Sequence, residues 1–88
     1  MPFVSKTQYR YIVRNLAAGS NVNPLSRHRS LAAACQHCVG WWDLGIKTAE
    51  VFDLQTGKCI AWRSEYDRET RQTYFVFRGA GGEPVRIL

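Results

Sequence analysis

No aspartate or glutamate occurs among the first 42 residues, although Lys6, Arg10, Arg14, Arg27 and Arg29 all fall there. The remaining residues hold seven acids and seven bases, so the whole formal charge of +5 resides in the first half. Long apolar runs are also missing. None approaches the roughly 18 to 20 residues that cross a bilayer, and residues 1–14 lack the apolar stretch of a secretory leader. A cytoplasmic protein without membrane contact is therefore expected. Three cysteines, an odd number, suit reduced thiols better than a disulfide scaffold. Histidine is scarce, with only His28 and His37, and neither sits in a nucleophile or metal motif. There is no Walker loop, and Gly79-Ala80-Gly81-Gly82 follows a predicted strand without opening a helix, so a phosphate cradle lacks its structural context. Catalysis needs several converging groups, and these absences point to a non-enzymatic protein with no cofactor, no metal and no small-molecule substrate.

What the chain does contain is enough apolar mass to fold. It has 88 residues, 45% hydrophobic and 12% aromatic, which suits one small domain and is too rich for a disordered segment. From Lys6 to Arg14 side chains alternate, with Tyr9, Tyr11 and Val13 on one side and Arg10, Ile12 and Arg14 on the other, as in a strand with one wet face. A short second strand near Val22–Leu25 would pair back at an edge, where Pro24 is tolerated. Ser30 can cap a helix in which Leu31, Ala34, Cys35, Cys38, Val39 and Trp42 recur on one face, and Gly45 is placed to end it in a left-handed conformation. Period-two patterns then predict strands at 48–54, 58–66 and 72–78, with Gly57 closing the first hairpin at positive φ.

The expected fold class is α+β: an antiparallel four- to five-stranded sheet with one helix on one face, in the order β(β)αβββ. Residues 1–78 form the domain and 79–88 a Gly-rich tail, loose or docked on a partner. Tyr9, Tyr11, Val13, Ile60, Trp62, Phe75 and Phe77 are the expected core beneath the helix. The opposite parity places Arg10, Arg14, Arg63, Tyr74 and Arg78 on the open face. Val51 and Phe52 cannot both point inward, and a large apolar side chain left outside would suggest a covering partner.

Two clusters bear on function. Cys35-Gln36-His37-Cys38 has metal-ligand spacing, with His28 and Cys59 as conceivable further ligands, but both thiols fall on the apolar helix face and read as packing. Arg27-His28-Arg29 precedes the helix, where guanidinium groups, free N–H groups and the positive end of the helix dipole would hold an anion. Nine of the twelve basic residues are arginine, whose planar fork suits phosphate or carboxylate and stacks on aromatic rings. The binding residues expected are thus Arg10, Arg14, Arg27, His28, Arg29, Arg63, Tyr74 and Arg78, facing an acidic protein surface or nucleic acid.

The tyrosine-rich first strand, the helix start Ser30-Leu31-Ala32-Ala33-Ala34 and the hairpin Gly57-Lys58-Cys59-Ile60-Ala61-Trp62 together resemble the small sheet-plus-helix anti-CRISPR proteins of phages and mobile elements. The resemblance spans about residues 6 to 66, is one of architecture and patterning, and carries no functional residue across. It implies a non-enzymatic inhibitor docking on a CRISPR effector-like nucleoprotein complex. Many such inhibitors are acidic mimics of nucleic acid. A charge of +5 departs from that pattern and favours contact with an acidic protein surface or with nucleic acid itself. The alternative is a direct RNA- or DNA-binding module using the Arg/Tyr sheet face.

Overall fold

The computed structural model describes residues 9–18, 24–79, 82 and 84–88. Strands β1 (Tyr11–Asn15) and β2 (Ser26–His28) precede helix α1 (Leu31–Asp43), and β3 (Ala49–Asp53), β4 (Lys58–Cys59), β5 (Ala61–Asp67), β6 (Gln72–Arg78) and β7 (Val85–Ile87) follow it. The class is α+β with only antiparallel pairings. The strands divide into a four-stranded sheet ordered β2-β1-β3-β4 and a three-stranded sheet ordered β5-β6-β7, where one sheet of four to five strands was expected. The division falls at Ile60, which is buried and whose N–H donates to the Val51 carbonyl at 2.8 Å. Past Ile60 the chain leaves β3, and β5 pairs with β6 alone.

The segment 85–87, expected in a loose tail, forms β7 instead. It pairs with β6 in the register Phe75↔Ile87 and Phe77↔Val85 and buries Ile87. Its Val-Arg-Ile alternation gives one apolar side to the core, a pattern too short to signal a strand by itself. The second strand lies at Ser26–His28, later than expected, and the expected residues Val22 and Asn23, like Lys6–Gln8 of the first, lie outside the described residues.

Helix α1 starts where Ser30 Oγ accepts from the Ala33 N–H, and it ends against Gly45 at φ 106°. The other predicted turn glycine, Gly57, has φ 73°. Ala34, Cys35, Cys38, Val39 and Trp42 are buried, and α1 packs on β1, β2, β3 and β7, so one helix covers parts of both sheets. Trp42 joins them: its Nε1 donates to the Ala49 carbonyl at 2.8 Å, and its ring lies 4.6 to 5.9 Å from those of Trp62, Phe75 and Phe77. Trp62 is not core, however, being 48% exposed, and Tyr9 is 39% exposed. Trp62 keeps one side of its ring against Trp42 and leaves the rest in solvent, and Tyr9 lies ahead of the first paired residue of β1.

The β5–β6 hairpin extends away from this core. Most of β5 is solvent-exposed, and Gln72 and Thr73 of β6 are too, so both faces of the distal half meet solvent. The resulting extents are 53 × 27 × 18 Å, with a radius of gyration of 13.9 Å against about 12 Å for a compact domain of this length. Among the described residues no helix is long and apolar enough to cross a membrane.

Cys35 and Cys38 lie in the core, and burial pushes both thiols up to about 12, helped by their mutual proximity at Cys35 and by Glu50 at Cys38. Cys59 is exposed. Since the thiolate is the reactive form, only Cys59 is expected to react with a disulfide reagent in the native protein, and all three cysteines after unfolding. Equal native rates for the three would overturn this placement.

Candidate functional site

The expected open face of Arg10, Arg14, Arg63, Tyr74 and Arg78 is not one surface, because the two sheets separate its members. On the first sheet, Ile12, Arg14, Glu50, Phe52, Arg27 and Cys59 share the side away from α1 through the register Ile12↔Arg27, Ile12↔Phe52, Arg14↔Glu50 and Phe52↔Cys59. Arg14 Nε donates to Glu50 Oε1 at 2.7 Å, and its guanidinium lies 4.0 Å from the centre of the Phe52 ring. The Val51–Phe52 choice is thereby settled: Val51 is buried under the helix, and Phe52 is sheltered by the chain's own Arg14. No covering partner is required there.

Arg63, Tyr74 and Arg78 share one side of the second sheet, through Ala61↔Arg78, Arg63↔Val76 and Glu65↔Tyr74. Glu65 occupies two of them. The Tyr74 hydroxyl donates to it at 2.6 Å and Arg63 Nε at 2.5 Å, and together they hold its carboxyl below the usual range, while Glu65 in turn raises the Tyr74 phenol. Arg86, not anticipated from the sequence, lies 5.6 Å from the centre of the Tyr74 ring. Arg63 and Tyr74 are therefore held by the chain's own Glu65, and the sheet-face arginines and tyrosine expected together with Arg10 and Arg14 stand on a separate sheet.

The Arg27-His28-Arg29 cluster also disperses. Arg27 and His28 belong to β2, so their side chains leave opposite faces. His28 turns toward the helix, half-buried, with Nε2 2.7 Å from Ser26 Oγ and its ring 4.4 Å from that of His37. Burial, followed by the nearby His37, lowers its pKa, so it adds little positive charge. At the helix N-terminus Ser30 Oγ accepts from the Ala33 N–H.

A different grouping takes shape at the end of the first sheet. Arg29 leaves β2 toward the start of β1 and the β3–β4 turn, and Tyr9, Arg10, Arg29, Leu54 and Gln55 line one open cleft of about 450 Å³. Its floor is organised by Asp53, which is fully buried and accepts from Arg10 Nε at 3.1 Å, Arg10 Nη2 at 3.0 Å and the Gln55 N–H at 2.9 Å. Arg10 and then the Gln55 N–H hold this carboxylate below its ordinary pKa. Leu54 N–H bonds the Arg10 carbonyl at 2.8 Å, continuing the β1–β3 ladder to the cleft wall. Arg10 is thus fixed in orientation while still partly exposed, and Arg29 is exposed. Among the described residues no carboxylate pairs with Arg29 or Arg27.

Sequence reasoning found Arg10 and Arg29 but assigned Tyr9 to the core and passed over Leu54, Gln55 and Asp53. The available signal was Asp53 itself, an Asp opening a Gly-closed turn, where its carboxylate caps the backbone two residues on. Among the described residues no three Cys, His, Asp or Glu side chains come together as a group that could hold a metal. No family model, no curated protein and no solved structure matches this chain.

Proposed function

We propose that this chain is a non-enzymatic binding protein that docks on a nucleic-acid-containing complex through the basic cleft, with single-stranded nucleic acid as the component it touches. The observation that carries this reading is the meeting of Tyr9, Arg10 and Arg29 around one recess of about 450 Å³, a size that suits a small-molecule-sized group such as one nucleotide. An exposed phenol ring offers a stacking surface, an arginine held in place by Asp53 and the exposed Arg29 offer phosphate contacts, and Leu54 supplies an apolar wall. Arg27, two residues before Arg29 on the edge strand, extends the positive surface. An inhibitor occupying the nucleic-acid path of a CRISPR effector-like complex, the form implied by the resemblance in patterning, would act through this contact.

The test is fluorescence anisotropy with a labelled single-stranded oligonucleotide, RNA and DNA in turn, at low and at physiological salt. Affinity is expected to fall linearly with salt on logarithmic axes. Tyr9→Ala should weaken binding by roughly 5- to 100-fold, the value of one base stack, without changing that slope. Absence of binding even at low salt would overturn the proposal and leave an acidic protein surface as the partner.

A further inference from the structure

The outer edge of β5 is seven residues long, and among the described residues no strand pairs with it. Its ladder to β6 runs unbroken from Ala61↔Arg78 to Asp67↔Gln72, with no bulge. Neither lysine nor proline interrupts Ala61–Asp67, and the charges it carries, Arg63, Glu65 and Asp67, are of both signs. Trp62 and Tyr66, 48% and 60% exposed, stand on one face of it, and Arg63 and Glu65 on the other.

This strand is complementary to itself. In an antiparallel pair of identical strands related by a twofold axis perpendicular to the sheet, one residue faces its own copy and the others pair symmetrically about it. With the axis at Ser64, Arg63 faces the second copy's Glu65, Glu65 faces its Arg63, and Trp62 faces its Tyr66. Shifting the axis to Arg63 sets guanidinium against guanidinium, and shifting it to Glu65 sets carboxylate against carboxylate. Opposite charges and aromatic pairs across strands stabilise, and like charges directly opposed destabilise, so Ser64 is the favoured register.

We propose that β5 pairs with β5 of a second copy of this chain about a twofold axis at Ser64, joining two three-stranded sheets into one of six strands. The occupant of the edge is identified by the charge and aromatic complementarity of the strand with itself. The two basic clefts are separate from this contact, so the dimer stands or falls independently of the nucleic-acid reading.

Sedimentation equilibrium tests the proposal, with far-ultraviolet circular dichroism to check folding. The unaltered protein should show a concentration-dependent dimer. Arg63→Glu alone and Glu65→Arg alone each oppose like charges at two symmetric positions and should weaken the dimer about tenfold or more. Mixing these two variants should restore a dimer, because each then faces its opposite, and the double exchange of Arg63→Glu with Glu65→Arg should restore self-association. Amide exchange of the unaltered protein gives a second measure that needs no variant: protection along β5 should rise with protein concentration. A monomer at every concentration overturns the proposal. So does a dimer that ignores the charge exchanges, or one that forms without added protection on β5.

Discussion

Trp42→Ala is expected to lower stability by about 3 to 5 kcal/mol, the range for removing a buried aromatic ring. Trp42 is 7% exposed and bridges the two sheets, touching Trp62, Phe75 and Phe77 while donating to the Ala49 carbonyl at the start of β3. A chain of this length holds only roughly 4 to 13 kcal/mol in total, so the variant should lie near the edge of folding at ambient temperature. Trp42→Phe keeps a ring and loses the N–H, and should cost about 1 to 2 kcal/mol. Its effect is softened because Cys38 Sγ also lies 3.5 Å from the same carbonyl. Trp62→Ala should cost only about 1 to 2 kcal/mol, since half of that ring is already in water. Urea unfolding of the three variants measures this order. A Trp62 effect equal to that of Trp42 would mean that Trp62 is packed as tightly as Trp42, against its 48% exposure.

The largest functional effect is expected from the double change Arg27→Glu with Arg29→Glu. Reversing both charges should reduce the affinity for single-stranded nucleic acid by about a hundredfold or more at low salt and flatten the logarithmic salt slope by roughly two. Both side chains are exposed, so stability should shift by only about 0.5 kcal/mol. The matched control is Arg68→Glu with Arg71→Glu in the β5–β6 loop, which removes the same charge from residues that do not line the cleft. Equal losses from the two pairs would show general attraction to a positive protein rather than a located site. A loss from the loop pair alone would move the contact to the hairpin tip, and full binding by both would remove the electrostatic account.

The local signals were legible because each depends on a few neighbouring residues. Ser30 as a cap, Gly45 and Gly57 at positive φ, and the apolar helix face from Ala34 to Trp42 follow from hydrogen-bonding capacity, freedom from a Cβ and a 3.6-residue period. The same reasoning identified Val13, Ile60 and Phe77 as core, Cys35 and Cys38 as packing residues, and the α+β class. Periodicity also assigned sides correctly within β1, β5 and β6, as with Arg63, Tyr74 and Arg78, but left Val51 and Phe52 of β3 undecided.

What periodicity cannot carry is which strand lies beside which. The two-sheet division depends on Ile60 bonding back to Val51, and the pairing of β7 depends on Phe75 and Phe77 meeting Ile87 and Val85, contacts between residues distant in the chain. Those pairings decided the candidate site. They separated Arg10 and Arg14 from Arg63, sent Arg27 and His28 to opposite faces, and left Tyr9 and Trp62 partly exposed. They also brought Arg29, just past β2, into one cleft with Arg10, which is held by Asp53 from across the sheet. Composition determined that the chain carries an unbalanced positive charge in its first half. Only the folded structure decided where carboxylates cancel that charge and where it stays open, because neutralisation depends on side chains 36 and 43 residues apart meeting across strands.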